Sequence, residues 1–322
     1  MASYDIFSEI DKIKIENMPK FDVVVGNPPY QTPKSSGGGL GGNQSKLYVK
    51  FVQLSIRILK DGGYLCFIHP GNWRCGMSRI TKQIGNLLKS KQIDYLNINK
   101  AKQYFNVGSR FDWYVLKNVP NYKNTQIETE YGEVNINLNN YKIIPNILNE
   151  IALSVFEKTI FNNKIDKIGN KLFYSDERMS APSKEKTKEY LYPFMIPGEK
   201  NQKIRWYGLK KHPLQDNYKI FFSTTGDGGS LYLGKDYGTS GIFGNLVILC
   251  SNKTEVDNYY SFFNSKLFRF IVKAVNFNRF YNYALNELIP DPKISMNWTE
   301  QNLYEYFNLT QEEIDYIESQ II

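Results

Sequence analysis

The sequence is poor in the residues that build disulfide frameworks and Cys/His metal sites. It has three cysteines and two histidines in 322 residues. The cysteines therefore cannot all pair, and neither residue type shows the spacing of a zinc site, so we expect no metal. The longest apolar runs, at 21–25, 64–68 and 246–250, are strand-sized. A bilayer crossing needs roughly 20 apolar residues, so we also expect no membrane span.

The N-terminus has no basic region followed by an apolar stretch, which is the pattern of a secretory signal. Together with the few cysteines, this predicts an intracellular protein, located in the cytoplasm, the nucleoid or a virus-infected cell. The mean hydropathy is −0.44, and 42% of the residues are hydrophobic. This length and composition are enough for about two domains.

Positive charge is abundant. The formal net charge is +8, and because all six charged residues after Lys293 are acidic, residues 1–293 carry +14. A basic body suits a polyanion such as nucleic acid, since neutralising phosphates releases counterions. A lysine-rich solvated surface is the alternative interpretation.

Strand-like and helix-like segments alternate in the first 120 residues. Apolar strands are predicted at 21–26, 64–70, 93–98 and 112–116, and helices at 46–59 and 80–88. The first helix is expected to end at Asp61-Gly-Gly, and its apolar face comprises Leu47, Phe51, Leu54, Ile58 and Leu59. This order predicts an α/β fold with a parallel sheet and helices packed on it.

The pattern changes beyond about residue 120. Thr125 to Ile143 alternates like exposed strands, and helices are predicted at 147–161 and 257–274. A capping box at Thr310-Gln-Glu-Glu313 precedes an acidic amphipathic helix. We therefore predict three segments, which are an α/β domain at 1–145, a mixed α+β domain at 146–293 and an acidic helical tail at 294–322.

The sequence Asn27-Pro28-Pro29-Tyr30 directly follows the first apolar strand. In open α/β sheets, ligands bind beyond the carboxyl ends of the strands. The Asn27 side-chain oxygen and the Pro28 carbonyl can accept hydrogen bonds, the prolines make the loop stiff, and Tyr30 offers a ring. Two acceptors beside a ring suit a planar molecule with an exocyclic amino group, whose lone pair they direct towards an electrophile. A plain strand-ending turn is the alternative.

Phe21 to Tyr30 resembles motif IV of the S-adenosylmethionine-dependent amino-methyltransferases. Its continuation through Leu59 to Trp73 resembles the TaqI-type, gamma-class adenine-specific DNA methyltransferases. Tyr104 to Leu116 is similar to a stretch of this family that carries a phenylalanine packing on a flipped adenine, and by position that residue is Phe105. Parts of the C-terminal half resemble the target-recognition domain of the family, at 193–198, 221–226, 263–270 and 288–292.

The resemblance implies methylation of the 6-amino group of adenine within a specific duplex DNA sequence, as in restriction-modification systems. The base would be flipped out of the duplex at a cost of a few kcal/mol. Asn27 and Pro28 would hold its amino group, and Tyr30 and Phe105 would stack on it. For Phe105, packing in the core is the alternative.

S-adenosylmethionine is the cofactor that the resemblance implies, with contacts expected at Asn27, Pro29 and Phe51. A position on an apolar helix face is the alternative explanation for Phe51. Contacts with DNA are predicted for Arg110, Asn276 and Arg279, and packing between a helix and a strand is the alternative for the loop that holds the last two.

The sequence departs from this family at its N-terminal end. Only 20 residues precede the Phe21 strand, where the family has three strands and a glycine-rich turn that holds the cofactor. The glycine-rich stretches at 37–42 and 226–229 do not lie between a strand and a helix, so they do not replace this turn. Segment 1–145 therefore resembles the C-terminal half of a catalytic domain, with an incomplete Rossmann-like sheet, and segment 146–293 a recognition domain.

Three interpretations stay open. The first is an adenine methyltransferase that is active either by itself or only together with a second polypeptide that carries the N-terminal cofactor-binding motifs. The second is a non-catalytic DNA-recognition module or relic. The third is a protein-glutamine or RNA methyltransferase, since a glutamine amide also presents a planar amino group.

Overall fold

The chain forms two compact units, Met1–Asn149 and Glu150–Ile322. The sequence pattern places this boundary near residue 145. The structure is a computed structural model. The residues that it describes are 18–30, 47–76, 78–100, 110–175, 183–195, 206–223, 231–236, 238–239, 245–277, 286–291 and 296–321.

The first unit contains a six-stranded sheet in the order β1-β2-β4-β3-β5-β6. Its strands are β1 (Phe21–Gly26), β2 (Leu59–Pro70), β3 (Lys91–Ile98), β4 (Phe111–Pro120), β5 (Thr125–Thr129) and β6 (Gly132–Ile136). The pairs β1–β2 and β3–β5 are parallel, and the other three pairs are antiparallel. The predicted α/β class is confirmed. The prediction of a parallel sheet is wrong, because β4 runs opposite to both of its neighbours.

Two helices of this unit pack on the sheet, α1 (Leu47–Ile58) and α2 (Arg79–Ser90). The predicted face of α1 is only partly correct, because Phe51, Leu54 and Ile58 are half-buried and Leu59 is the first residue of β2. The helix packs against both β2 and α2, so its buried side is wider and comprises Leu47, Tyr48, Val49, Val52, Ser55 and Ile56.

Asp61-Gly-Gly does not end α1 as predicted but lies within β2. The pairing of β1 with β2 shifts there, from Phe21↔Leu59 to Val23↔Tyr64, so the intervening residues of β2 form a bulge. Gly62 has a φ of +78°, and a Cβ on Gly63 would lie 2.9 Å from the Asp22 carbonyl oxygen. Both glycines therefore serve the bulge rather than a helix end.

The two faces of the sheet differ in burial. Paired residues on one face, Leu65 with Leu116 and Phe67 with Tyr114, are buried. The other face carries exposed large apolar side chains, between 36% and 73% accessible, at Val23, Val25, Tyr64 and Trp113. Since β1 is also the edge strand in the described part of the sheet, one face and one edge of this unit are accessible.

The second unit is a mixed α+β structure. A four-stranded sheet has the order β11-β10-β13-β7, and a three-stranded sheet has the order β12-β8-β9. The strands are β7 (Phe173–Ser175), β8 (Tyr192–Met195), β9 (Trp206–Gly208), β10 (Tyr218–Ser223), β11 (Leu231–Gly234), β12 (Gly238–Thr239) and β13 (Asn245–Cys250). The helices are α3 (Glu150–Lys158), α4 (Lys253–Phe263), α5 (Lys266–Val275), α6 (Glu300–Tyr306) and α7 (Gln311–Gln320).

The single helix predicted at 257–274 is wrong, because two helices, α4 and α5, occupy this segment. The Ser265 side chain accepts a hydrogen bond from the Phe268 amide and so begins a new helix at Lys266. No helix in the described part of the chain has the length and apolar character that a bilayer crossing needs.

The predicted capping box at Thr310 and Glu313 is confirmed, since each side chain accepts from the backbone amide of the other residue. The Glu313 carboxylate also accepts hydrogen bonds from Ser154 and Lys158 of α3. The acidic tail therefore lies within the second unit.

Candidate active site

The loop Asn27–Tyr30 begins where β1 ends, at the carboxyl edge of the parallel β1–β2 pair. Gly26 pairs with Phe67, and a Cβ on this glycine would lie 3.1 Å from the Phe67 ring, so a side chain there would require the ring to shift. Asn27 is exposed, whereas Pro28 is buried. The buried proline with its fixed φ anchors the loop and leaves the Asn27 amide accessible.

Tyr30 closes this loop over Asn27. Its hydroxyl donates a hydrogen bond to the Asn27 side-chain oxygen at 2.5 Å. Its ring packs against Phe111, with ring centroids 4.9 Å apart and an interplanar angle of 46°. Partial burial raises the pKa of the Tyr30 hydroxyl. The hydroxyl is therefore protonated at neutral pH, and it occupies one of the two acceptor positions of the Asn27 oxygen.

The beginning of β4 lies at the same edge of the sheet. Phe111 pairs with Pro70, the last residue of β2. The Gly71 amide donates to the Arg110 carbonyl at 3.1 Å, and the Asn99 amide donates to the Phe111 carbonyl at 3.0 Å. Arg110 is exposed. The structure thus brings the predicted DNA-contacting residue Arg110 to the edge that carries the Asn27–Tyr30 loop.

The other predicted site residues are placed differently. Phe51 is half-buried in the second turn of α1. Phe105 and Arg279 lie outside the described residues. Asn276 follows α5 in the second unit, is 6% exposed, and donates its backbone amide to the Val272 carbonyl. This burial agrees with the packing alternative for Asn276, because contact with a base edge would require an accessible side chain.

A buried histidine lies near this edge of the sheet. His69 stacks on Tyr48 with ring centroids 4.7 Å apart, and its Nε2 lies 3.1 Å from the Tyr114 hydroxyl. Desolvation lowers the pKa of His69 to about 4. The Pro70 carbonyl, 3.1 Å from Nδ1, opposes this shift. His69 is therefore neutral at neutral pH. The sequence offered only a weak signal for it, a histidine at the end of an apolar strand.

A buried ion pair joins Arg74 to Asp112, the residue after Phe111. Arg74 Nε donates to Asp112 Oδ2 at 2.7 Å, and both side chains are fully buried. Burial raises the pKa of the Asp112 carboxyl, and the Arg74 guanidinium opposes this shift. Sequence reasoning missed the pair. An acidic residue inside an apolar strand was a visible signal, but its partner is 38 positions away.

Comparison with known proteins places this site in context. A family model of the Eco57I restriction-modification methylases matches residues 2–105. An uncharacterized adenine-specific methylase of Mycoplasma pneumoniae is 29% identical over 163 residues. Residues 2–105 are thus similar to restriction-modification methylases, and the chain shares a segment with an adenine-specific methylase. The resemblance predicted from the loop and the strands around it is confirmed for this part of the chain.

The similarity to the Mycoplasma pneumoniae methylase covers 46% of this chain, and the chain spans 37% of that relative's length. Among solved structures, the DNA complex of the type IIL restriction-modification enzyme MmeI is 9% identical, with a TM-score of 0.49, over 89% of this chain and 47% of the other. The type IIG restriction endonuclease BpuSI is 11% identical, with a TM-score of 0.37, over 93% and 50% respectively. The fold described above rests on the structure itself.

Proposed function

We propose that this chain is the adenine-holding and DNA-recognising part of a sequence-specific, S-adenosylmethionine-dependent DNA methyltransferase of a restriction-modification system. The observation that carries this proposal is the Asn27–Tyr30 loop. It presents an accessible amide oxygen beside an aromatic ring at the carboxyl end of β1. The segment that contains it matches the Eco57I methylase family. We also propose duplex DNA as the substrate and an intracellular location.

The roles of the loop residues follow from their chemistry. Asn27 Oδ1 and the Pro28 carbonyl accept the two hydrogens of the adenine 6-amino group, which turns the nitrogen lone pair out of the ring plane. The Tyr30 hydroxyl leaves Asn27 when the base enters, and its ring stays against Phe111 and offers a face to the base. Stacking is worth roughly 1–3 kcal/mol per base, which offsets much of the cost of flipping. S-adenosylmethionine supplies the methyl group when bound, and the amine then loses a proton to water.

The described residues fit the substrate side of such a site better than the cofactor side. Cofactor contacts are predicted at Asn27, Pro29 and Phe51, of which Asn27 and Pro29 are exposed and Phe51 is half-buried. Within residues 18–30, 47–76, 78–100 and 110–149, however, no glycine-rich turn follows a strand and begins a helix, which is the arrangement that would hold the methionine part. We therefore assign roles only to groups that face the adenine.

A second polypeptide with the N-terminal cofactor-binding motifs would complete the site. Two observations on β1 support this proposal: it is the last strand of the sheet in the part that the structure describes, and its Phe21, Val23 and Val25 are 40%, 53% and 73% exposed. A strand with a continuous apolar run is typical of the interior of a sheet that is covered on both faces. Calorimetry with S-adenosylmethionine tests the need for this partner. We expect no binding by the chain alone, and tight binding by the chain alone would contradict the proposal.

Asn27→Ala tests the proposed catalytic role. The chain is expressed, with and without its neighbouring reading frames, in cells that lack adenine methylation, and N6-methyladenine is mapped by sequencing. Removal of one oriented acceptor is expected to lower the rate about 100-fold or more while the protein stays folded. Asn140→Ala, at an exposed asparagine of the same unit, is the matched control and should keep full activity. Unchanged turnover in Asn27→Ala would refute the site.

A non-catalytic DNA-recognition module is the second candidate function. The observation that favours it is the missing glycine-rich turn among the described residues of the first unit. This candidate predicts specific DNA binding without methyl transfer, whichever partner is supplied. A side-by-side assay with duplex DNA, RNA and a glutamine-containing protein also tests the remaining alternative, in which the loop holds an amide of protein or a base of RNA.

A further inference from the structure

The orientation of Tyr30 depends on a residue outside its own loop. Phe111 is 7% exposed and packs against the Tyr30 ring. Two backbone hydrogen bonds hold the chain around Phe111, from Asn99 to its carbonyl and from Gly71 to the Arg110 carbonyl. Tyr30 in turn donates to Asn27. A shift of the Phe111 ring would therefore move both the ring and the hydroxyl that flank the Asn27 acceptor.

The residue after Phe111 fixes the strand from the opposite face of the sheet. Successive side chains in a strand point to opposite faces, so Asp112 lies on the face away from Phe111. Its carboxylate binds Arg74, whose guanidinium also donates to the carbonyls of Ile144 and Pro145 and to Asn146 Oδ1, at 2.8, 3.1 and 2.9 Å. One cation thus joins the end of β2, the beginning of β4 and the segment after β6.

The packing between this ion pair and Gly71 is close. A Cβ on Gly71 would lie 2.7 and 2.8 Å from the two Asp112 carboxylate oxygens and 3.0 Å from Arg74 Nη2. The beginning of β4 is therefore a rigid support, and rigid support is what an oriented acceptor needs.

We propose that Phe111, held in place by the buried Arg74–Asp112 pair, is a positioning residue that sets the orientation of Tyr30 and thereby of the Asn27 acceptor. The importance of this orientation for methyl transfer rests on the proposed function. The contact between Phe111 and Tyr30 and the ion pair behind it can be tested without any activity.

The spectroscopic test uses 3-fluorotyrosine in place of Tyr30, observed by fluorine NMR in the full chain. Phe111→Leu removes the ring that lies beside the label, so we expect a shifted and broadened resonance. Asp112→Asn should change the same resonance. If Asp112→Asn fails to fold, Asn146→Ala is used in its place, because this variant removes only one acceptor of Arg74. Leu116→Val, at a buried position farther along β4, is the control and should leave the resonance in place. An unchanged resonance in folded Phe111→Leu overturns the proposal.

The kinetic test uses the chain together with the partner that restores methyl transfer. Phe111→Leu should lower kcat about 10- to 100-fold, because small misplacements of reacting groups have effects of this size, while KM for DNA changes less than threefold. An equal fall of kcat in Leu116→Val would show a general packing effect and overturn the positioning role. If the wild-type pair transfers no methyl group, the proposed function fails, and the fluorine resonance still decides the positioning role.

Discussion

The buried neutral His69 makes the stability of the first unit depend on pH. Burial lowers its pKa to about 4 in the folded chain, from an ordinary value of 6.5. Between these two values, the unfolded chain binds a proton at this residue and the folded chain does not. Stability therefore falls as the pH decreases from 6.5 towards 4, because protons are bound preferentially by the unfolded state.

The size of the effect follows from the two pKa values. At pH 5, the unfolded histidine is almost fully protonated and the folded one is about one-tenth protonated, so the loss relative to pH 7 is about 2 kcal/mol. Below pH 4 the loss approaches a limit of about 3 kcal/mol. Such a change is a large fraction of the stability of a typical domain, about 5–15 kcal/mol.

Hydrogen exchange of the β2 amides, measured at different urea concentrations at pH 7 and pH 5, reports the stability of this unit alone. His69→Gln keeps a polar group near Tyr114 but does not titrate. Its loss of stability between pH 7 and pH 5 should therefore be smaller than that of the wild type by about 2 kcal/mol. His212, whose pKa burial also lowers to about 4, lies in the second unit, and His212→Gln is the matched control. The reasoning is refuted if His69→Gln loses as much stability as the wild type.

Two further substitutions, one in each unit, test local contacts. Gly85→Ala places a Cβ 2.4 Å from the Trp73 carbonyl oxygen, so α2 must move away, and urea unfolding should show a loss of about 2 kcal/mol or more. Ala152→Gly, at a buried position in α3, is the comparison and should cost about 1 kcal/mol. Glu313→Gln weakens the ion pair with Lys158 and the cap of α7, and we expect a loss of about 1 kcal/mol in the second unit, measured by thermal unfolding. An unchanged melting temperature would contradict the role given to Glu313.

The elements with strong local signals were predictable from the sequence. The apolar run of β1, stopped by Asn27-Pro-Pro, locates the loop without any tertiary information, because prolines cannot continue a sheet interior. The cap at Thr310 was also visible, since its hydrogen bonds join residues three positions apart. Ser265 carried a comparable signal inside the predicted helix 257–274, but the apolar spacing on both sides of it concealed the break.

The direction of β4 and the support behind Tyr30 were not predictable in this way. A strand's direction depends on how the chain returns to the sheet, and the residues between β3 and β4 show no periodic pattern that decides it. The contact between Tyr30 and Phe111 and the pair Arg74–Asp112 join residues that are far apart in the sequence. These residues come together because β2 pairs with β4, and this pairing exists only in the folded sheet.

The hydrogen bond from Tyr30 to Asn27 has a consequence for selectivity. The Asn27 oxygen already accepts one hydrogen bond in the free protein, so a ligand gains affinity there only by supplying a donor, either to the second lone pair or in place of the phenol. A base with a keto group at that position has no hydrogen to donate to the Asn27 oxygen, so the hydrogen bond between Tyr30 and Asn27 persists. In the proposed site, the loop would thus favour an amino edge over a keto edge at the binding stage, since a polar group left unmatched in a complex costs about 1–3 kcal/mol.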